Sequence, residues 1–247
     1  MGRPRGRKRW TAVPRQDGRT VVVTGASSGI GLQTARILTA FGAHVVLAVR
    51  NTEKGEAVAR RLPGSTEVRR LDVADLASVR AFAEETGRVD VLVNNAGIMA
   101  VPFARSTDGF ESQLATNHLG HFALTNLLFL SELQRRLTAH RSTLRATGAH
   151  PGYTSTALQG GTGSWAFTRV SNLGNRLVGM PAWQGALTTV YAATMDLPGN
   201  SYVGPHGPGE MLGWPTLVGR SPAASDPAAA KALWSRSEAL TGTSFPL

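Results

Sequence analysis

The chain has no cysteine, so disulfides and thiolate metal sites are excluded. That absence fits a reducing compartment, and a cytoplasmic location is the expectation. No stretch stays apolar and uncharged over the length of a membrane span, and no apolar run follows the first basic residues. Neither a spanning helix nor a secretory leader is therefore expected. Tyrosine and lysine are scarce: Tyr153, Tyr191 and Tyr202 are the only tyrosines, and Lys8, Lys54 and Lys231 the only lysines. Arginine carries most of the positive charge. The net charge is +10, and Arg3, Arg5, Arg7, Lys8 and Arg9 supply +5 of it. Such a run can touch nucleic acid or an anionic membrane, but a solvated terminus is the plainer reading. Residues 1–18 are therefore expected to be a disordered tail, with no nucleic-acid partner. Residues 19–247 are expected to form a single domain, long enough to bury a core. A homo-oligomer is left open.

Strand and helix patterns alternate along the chain, as in an α/β doubly wound parallel sheet with helices on its faces. Strands are expected at Arg19 to Thr24, His44 to Val49, Glu67 to Leu71 and Val89 to Val93. Helices are expected at Ile30 to Phe41, near Thr52 to Leu62, and at Asp75 to Glu85. A long helix from about Asp108 to Leu137 follows, then a strand at Leu144 to Ala149. Ser164 to Met180 is irregular and suggests a lid. Pro181 to Met195 reads as a helix with proline in its first turn. Tyr202-Val203-Gly204 reads as a last short strand, and Asp226 to Leu240 as a closing helix begun by Asp-Pro.

Gly25-x-x-x-Gly29-x-Gly31 sits between the first strand and its helix. Glycines there allow a tight turn and close backbone approach to a pyrophosphate, and the helix N-terminus offers unpaired N–H groups to phosphates. The candidate contacts in this loop are Gly25, Ser27, Ser28, Gly29, Ile30 and Gly31. Asn94-Asn95-Ala96-Gly97 falls just past the fourth strand, at the edge where such sheets bind ligands, and adds Asn94, Ala96 and Gly97. The second strand ends at Arg50, with no acidic residue to hold a ribose 2′-hydroxyl. A guanidinium there can pair with a 2′-phosphate, which predicts NADP over NAD; an ordinary surface arginine is the alternative. Asp72 is a candidate for the adenine side and equally for the start of a helix, since Val73-Ala74-Asp75 leads into one.

These motifs resemble the short-chain dehydrogenase/reductase family, specifically its retinol-dehydrogenase-like actinobacterial members. The likeness extends to Trp10-Thr11 through Gly18-Arg19, Asn117-His118-Leu119-Gly120-His121-Phe122, His150-Pro151-Gly152, Tyr202-Val203-Gly204-Pro205 and Leu240 to Phe245. It implies an NAD(P)-dependent oxidoreductase acting on a small apolar alcohol or carbonyl. It makes Asn117 the asparagine of the catalytic set and Asp72 the adenine contact. It also lays the loop of Pro151, Gly152 and Thr154 on the nicotinamide, with Thr154 or Thr156 at the carboxamide.

The family's serine and Tyr-x-x-x-Lys have no counterpart here. Fifty-two residues separate Gly97 from His150, where the family places the rest of one helix, a fifth strand with the serine, and a helix opening with that tyrosine. Leu124 to Leu128 resembles the middle of the first helix and Phe129 to Leu137 the second half of the next. They join on the shared word Asn126-Leu127-Leu128. Phe110, Leu114, Phe122, Leu127, Leu130, Leu133 and Leu137 stay near helical spacing across the join. A right-handed crossover survives such a deletion. The expected result is a sheet one strand narrower, with the 144–149 strand seated where the fifth belonged, and reduced stability.

No substitute for the lost groups stands out. Tyr153 lies beside the nicotinamide loop, but no lysine falls between Lys54 and Lys231. A phenol without a neighbouring cation ionises near pH 10 and is a poor base at neutrality. His118 and His121 share a helix face without a third metal ligand, so packing and hydrogen bonding are expected of them. Ser131 falls on the distal part of a helix. The expectation is an NADP-binding family member with impaired or lost turnover. The alternatives are a non-enzymatic pseudoenzyme or scaffold, or a decayed gene product.

Overall fold

A computed structural model describes residues 10–125, 130–155 and 179–244. Strands β1 (Thr20–Thr24), β2 (His44–Val49), β3 (Thr66–Arg70) and β4 (Val91–Val93) form a parallel sheet in the order β3-β2-β1-β4. Helices α1 (Gly29–Ala40), α2 (Thr52–Ala59) and α3 (Leu76–Glu85) connect them. The valine runs that build this sheet need no polar alternation, because both faces are covered. Val21 and Val23 pack into one core with Val45, Leu47, Leu38 and Val190, while Val22 packs into the other with Val46, Val79 and Phe82. That is the period-2 pleat buried twice. Polar side chains set the helix starts: Asn51 Oδ1 accepts the Lys54 N–H, and Asp75 Oδ1 accepts those of Ala77 and Ser78.

Residues 10–18 belong to the fold, which corrects the expected tail boundary. Val13 and Gln16 are buried, and Trp10 packs edge-on against Tyr191 with ring centroids 4.9 Å apart. Gln16 is tolerated inside because its amide donates to the carbonyls of Pro14 and Arg15 and accepts from Arg19. Residues 1–9, with the basic cluster, lie outside the described residues.

The helix expected from about Asp108 starts only at Ser112 and changes to a π-helical turn part-way. Asp108 instead accepts the Leu76 N–H, and Glu111 caps a short α4 (Ser112–Leu114) by accepting the N–H groups of Gln113 and Leu114. A π-helical turn spans Ala115–Leu119 and leads into α5 (Gly120–Thr125). Helix α6 covers Leu130–Ala139. The join at Asn126-Leu127-Leu128 and most of the lid expected at 164–180 fall outside the described residues.

Beyond the join, the expected narrower sheet is not what forms. The strand expected over 144–149 shortens to β5 (Gly148–Ala149) and pairs with β6 (Tyr202–Pro205), not with β4. β6 pairs antiparallel with β7 (Pro215–Leu217), giving a separate sheet β5-β6-β7. Between β4 and β5 lies a cavity of about 1000 Å³. Residues 144–147 have no ladder on that side, so Leu144 is exposed and Arg145 turns to pair with Asp196. Helix α7 (Ala182–Thr194) begins after Pro181 and bridges the two sheets, packing on α1 and on β5 and β6. Helix α8 (Pro227–Thr241) starts at Asp226, whose carboxylate accepts the Ala228 N–H.

Candidate cofactor site

The loop from β1 to α1 is built for close approach. Gly25 and Gly29 hold φ of +67° and +56°, a region other residues rarely adopt. A Cβ on Gly25 would sit 2.9 Å from Ala96 Cα, and one on Gly31 would overlap the Asn95 amide. Ser28 is the N-cap of α1, yet its side chain makes no capping hydrogen bond. The first amides of the helix, around Ile30, are thus left for an acceptor from outside. Ser27 lies in the same turn.

Thr24, at the end of β1, organises the neighbouring loop. Its hydroxyl oxygen accepts the N–H groups of Asn95 and Ala96, each at 2.9 Å. The hydroxyl proton then goes to His121 Nε2 at 2.9 Å, nearer than the Val93 carbonyl at 3.4 Å. That makes His121 the Nδ1–H tautomer, and its other hydrogen bond is to the main-chain carbonyl of Asn117. Asn95 also donates through its side chain to the Thr24 carbonyl at 2.9 Å. The Asn117 side chain closes the frame: Nδ2 donates to the Ile98 carbonyl and Oδ1 accepts the Ile98 N–H, both at 2.8 Å. Gly97 lies beneath Asn117 Oδ1.

The sequence motifs pointed to Asn94, Ala96 and Gly97; the structure ties Ala96 to Thr24 and adds Asn95 and Thr24 as anchors of the loop. Asn94 borders the cavity beside β4. The two-residue word Asn-Asn carries no signal for which member turns inward. Asp72 accepts the Ala74 N–H at 3.0 Å while Asp75 caps α3, so Asp72 supports the lead-in to the helix. Arg50 is exposed just past β2, with no side-chain partner among the described residues.

Burial holds the His121 imidazole down at about 4, well below the ordinary histidine range, because the charged ring would lose its solvent. The unfolded chain binds that proton near pH 6.5, so the stabilisation is complete above pH 6.5 and is lost as the pH falls toward 4. The expected loss is about 3 kcal/mol. Denaturant titrations of the protein and of His121→Gln across this range test it; equal pH slopes for the two would refute it. His118 is held down by burial too, and it hydrogen-bonds Ser237 at 2.8 Å. The two histidines thus serve separate contacts. Among the described residues no group of three metal-ligating side chains assembles.

The loop after β5 is shaped by Gly152, at φ +64°. A Cβ there would press on the Met211 carbonyl and on Pro205. The Thr154 hydroxyl donates to the Pro151 carbonyl at 2.9 Å and packs on Gly185, only 5% exposed. It is therefore turned into the protein and braces the loop. Tyr153 is tied by its main chain to Met211 and Met180. Ser131 donates to Asn200 and accepts from Arg220, away from any reacting centre.

The short chain dehydrogenase family model matches residues 19–136, from the start of β1 into α6. A solved structure of an uncharacterised protein from Mycobacterium paratuberculosis is 44% identical, covers 97% of this chain and all of its own, and superposes with a TM-score of 0.81. Retinol dehydrogenase 12 of Bos taurus is 44% identical over 144 residues. Those residues are 55% of this chain and 45% of the relative.

The chain belongs to the short-chain dehydrogenase/reductase family.

Human retinol dehydrogenase 13 is 52% identical over 120 residues, 45% of this chain and 36% of that protein. This dehydrogenase/reductase-family chain thus spans under half the length of the curated relatives it matches. A candidate NAD(P)-dependent gluconate 5-dehydrogenase of Beutenbergia cavernae, with NADP bound at low occupancy, is 25% identical with a TM-score of 0.55. It covers 73% of this chain and 91% of its own. Among the described residues no helix is long and apolar enough to cross a membrane.

Proposed function

We propose that this protein is a cytoplasmic NADP(H)-binding family member whose hydride-transfer chemistry has been lost. The observation that carries the binding half is the β1–α1 loop. Its positive-φ glycines, its helix start without a side-chain cap and its close packing on Asn95 and Ala96 fit a pyrophosphate against backbone N–H groups. Arg50 stands where it can pair with a 2′-phosphate. A bound nicotinamide would supply or accept hydride. The chain's own residues can shape that end of the site through Pro151 and Gly152, with Asn117 holding the loop at Ile98, but among the described residues none is placed to move the proton at the substrate oxygen.

The parent reaction is NADP-linked oxidoreduction of a small apolar alcohol or carbonyl, in keeping with the retinol dehydrogenases it resembles. Met211, Leu212 and Trp183 present apolar surface near the loop after β5, and Trp183 lies 6.2 Å from Trp214 between ring centroids. A deletion of one strand-plus-helix unit at Asn126-Leu127-Leu128 accounts for both the missing catalytic residues and the cavity beside β4.

Calorimetric titration tests the binding half. NADPH is expected to bind at least about tenfold more tightly than NADH, and Arg50→Ala to bring the two close together, since the 2′-phosphate loses its bidentate partner. Folded protein that binds neither nucleotide would sink the proposal.

A further inference from the structure

The cavity between β4 and β5 is bounded by two strand edges. Asp90 N–H donates to the Thr20 carbonyl, so Asp90 and Leu92 face β1 while Val91 and Val93 present their main-chain groups to the cavity. On the other wall, Gly148 and His150 donate to Ser201 and Val203 of the β6 segment, so Thr147 and Ala149 face the cavity. The main-chain groups facing it have no strand partner among the described residues. Phe82, Leu124, Leu133 and Leu137 line it from one side and Ala192 and Ala193 of α7 from another. Strand rise, strand spacing and sheet spacing give each strand residue about 160 Å³, so about 1000 Å³ holds an extended segment of roughly six residues.

We propose that this slot accepts an extended segment of another polypeptide, apolar on both faces, which adds as a strand between β4 and β5. Apart from the Val93 carbonyl, which lies 3.4 Å from the Thr24 hydroxyl, the N–H and C=O groups facing the slot have no strand partner among the described residues, and an extended main chain meets both walls at once with directed hydrogen bonds. A small apolar ligand would leave both rows unsatisfied, at a cost that grows with each group. A second copy of this chain is a poor donor. A strand seated between two walls needs both edges free, and among its described strands with apolar side chains on both faces β1 and β2 already pair on both edges and β4 on one. The occupant is therefore a foreign segment rich in β-branched residues.

The test uses the whole protein and a lysine-flanked, acetylated peptide copying His44–Val49, a segment that pairs on both edges in its own sheet. Saturable binding at one peptide per chain is expected, with amide exchange at Val91, Val93 and Ala149 slowed at least about tenfold. The same peptide N-methylated at alternate residues cannot donate along one edge, and it should bind at least about tenfold more weakly. Ala149→Pro removes a donor facing the slot without touching the β5–β6 hydrogen bonds, and it should weaken peptide binding likewise. Three results would overturn the proposal: no binding of the unmodified peptide, equal binding of the N-methylated one, or concentration-dependent dimers that protect the same amides without peptide.

Discussion

Incubated with NADPH and aldehydes or ketones, or with NADP and alcohols, the protein is expected to turn over at least about 10⁴-fold more slowly than a family member that carries Tyr-x-x-x-Lys. General acid–base help is worth about 10²–10⁴-fold, and the missing serine removes a hydrogen bond to the carbonyl as well. The groups that remain are committed elsewhere. Both polar atoms of the Asn117 side chain are bonded to Ile98, so that side chain holds the loop together. Tyr202 stacks on His150, and burial raises its pKa further, which leaves even less of it ionised at neutral pH. Tyr191 is packed against Trp10. That leaves Tyr153, next to the loop after β5, as the one phenol to test. Any residual rate should be the same in Tyr153→Phe. A robust NADPH-dependent rate that this substitution abolishes would make Tyr153 a relocated acid and reverse the conclusion.

Gly120→Ala is expected to be the most damaging single methyl in the amino-terminal half. A Cβ at Gly120 would overlap the Val73 carbonyl, which is main chain and cannot swing aside. Relief requires α5 to move off the start of α3. The same shift would pull His121 from Thr24 and disturb the π turn that carries Asn117. Overpacking of this kind costs about 3 kcal/mol or more, which for a chain of this size lowers Tm by roughly 6–12 °C. Gly87→Ala serves as the control, because nothing lies within 4 Å of a Cβ there. Thermal melts of the two variants decide it: a Gly120→Ala protein melting within about 2 °C of the parent would show that the contact is slack.

The amino-terminal half was legible because its signals are local. Valine runs, glycine spacing and Asp or Asn caps each act within a few residues, and the parallel order β3-β2-β1-β4 follows from short crossovers. The glycine loop between the first strand and its helix, and the helix starting after Pro181, lie where the residues suggested. What escaped prediction depends on distant partners. Whether residues 148–149 pair with β4 or with β6 is a competition between edges, and alternation within the segment carries no information about it. β7 carries little local strand signal, because Gly213 and Pro215 both punctuate it, although an edge strand tolerates proline. Gln16 looked like part of a charged leader, and only its hydrogen bonds to Pro14, Arg15 and Arg19 explain why it is inside. The π turn leaves no mark in helical spacing at all.

Among the described residues the two ladders share no main-chain hydrogen bond, and side-chain packing joins them, with α7 as the principal connection. In an unbroken parallel sheet, each strand's ordering is a condition for its neighbour's. Here that condition is interrupted, and β5-β6-β7 can lose its order while β3-β2-β1-β4 keeps its own. The nucleotide's phosphate groups would rest on one cooperative unit and its nicotinamide end on the other. Occupancy of the phosphate loop is then no guarantee that the far end of the cofactor is held in register, and affinity and alignment become separate properties of the molecule.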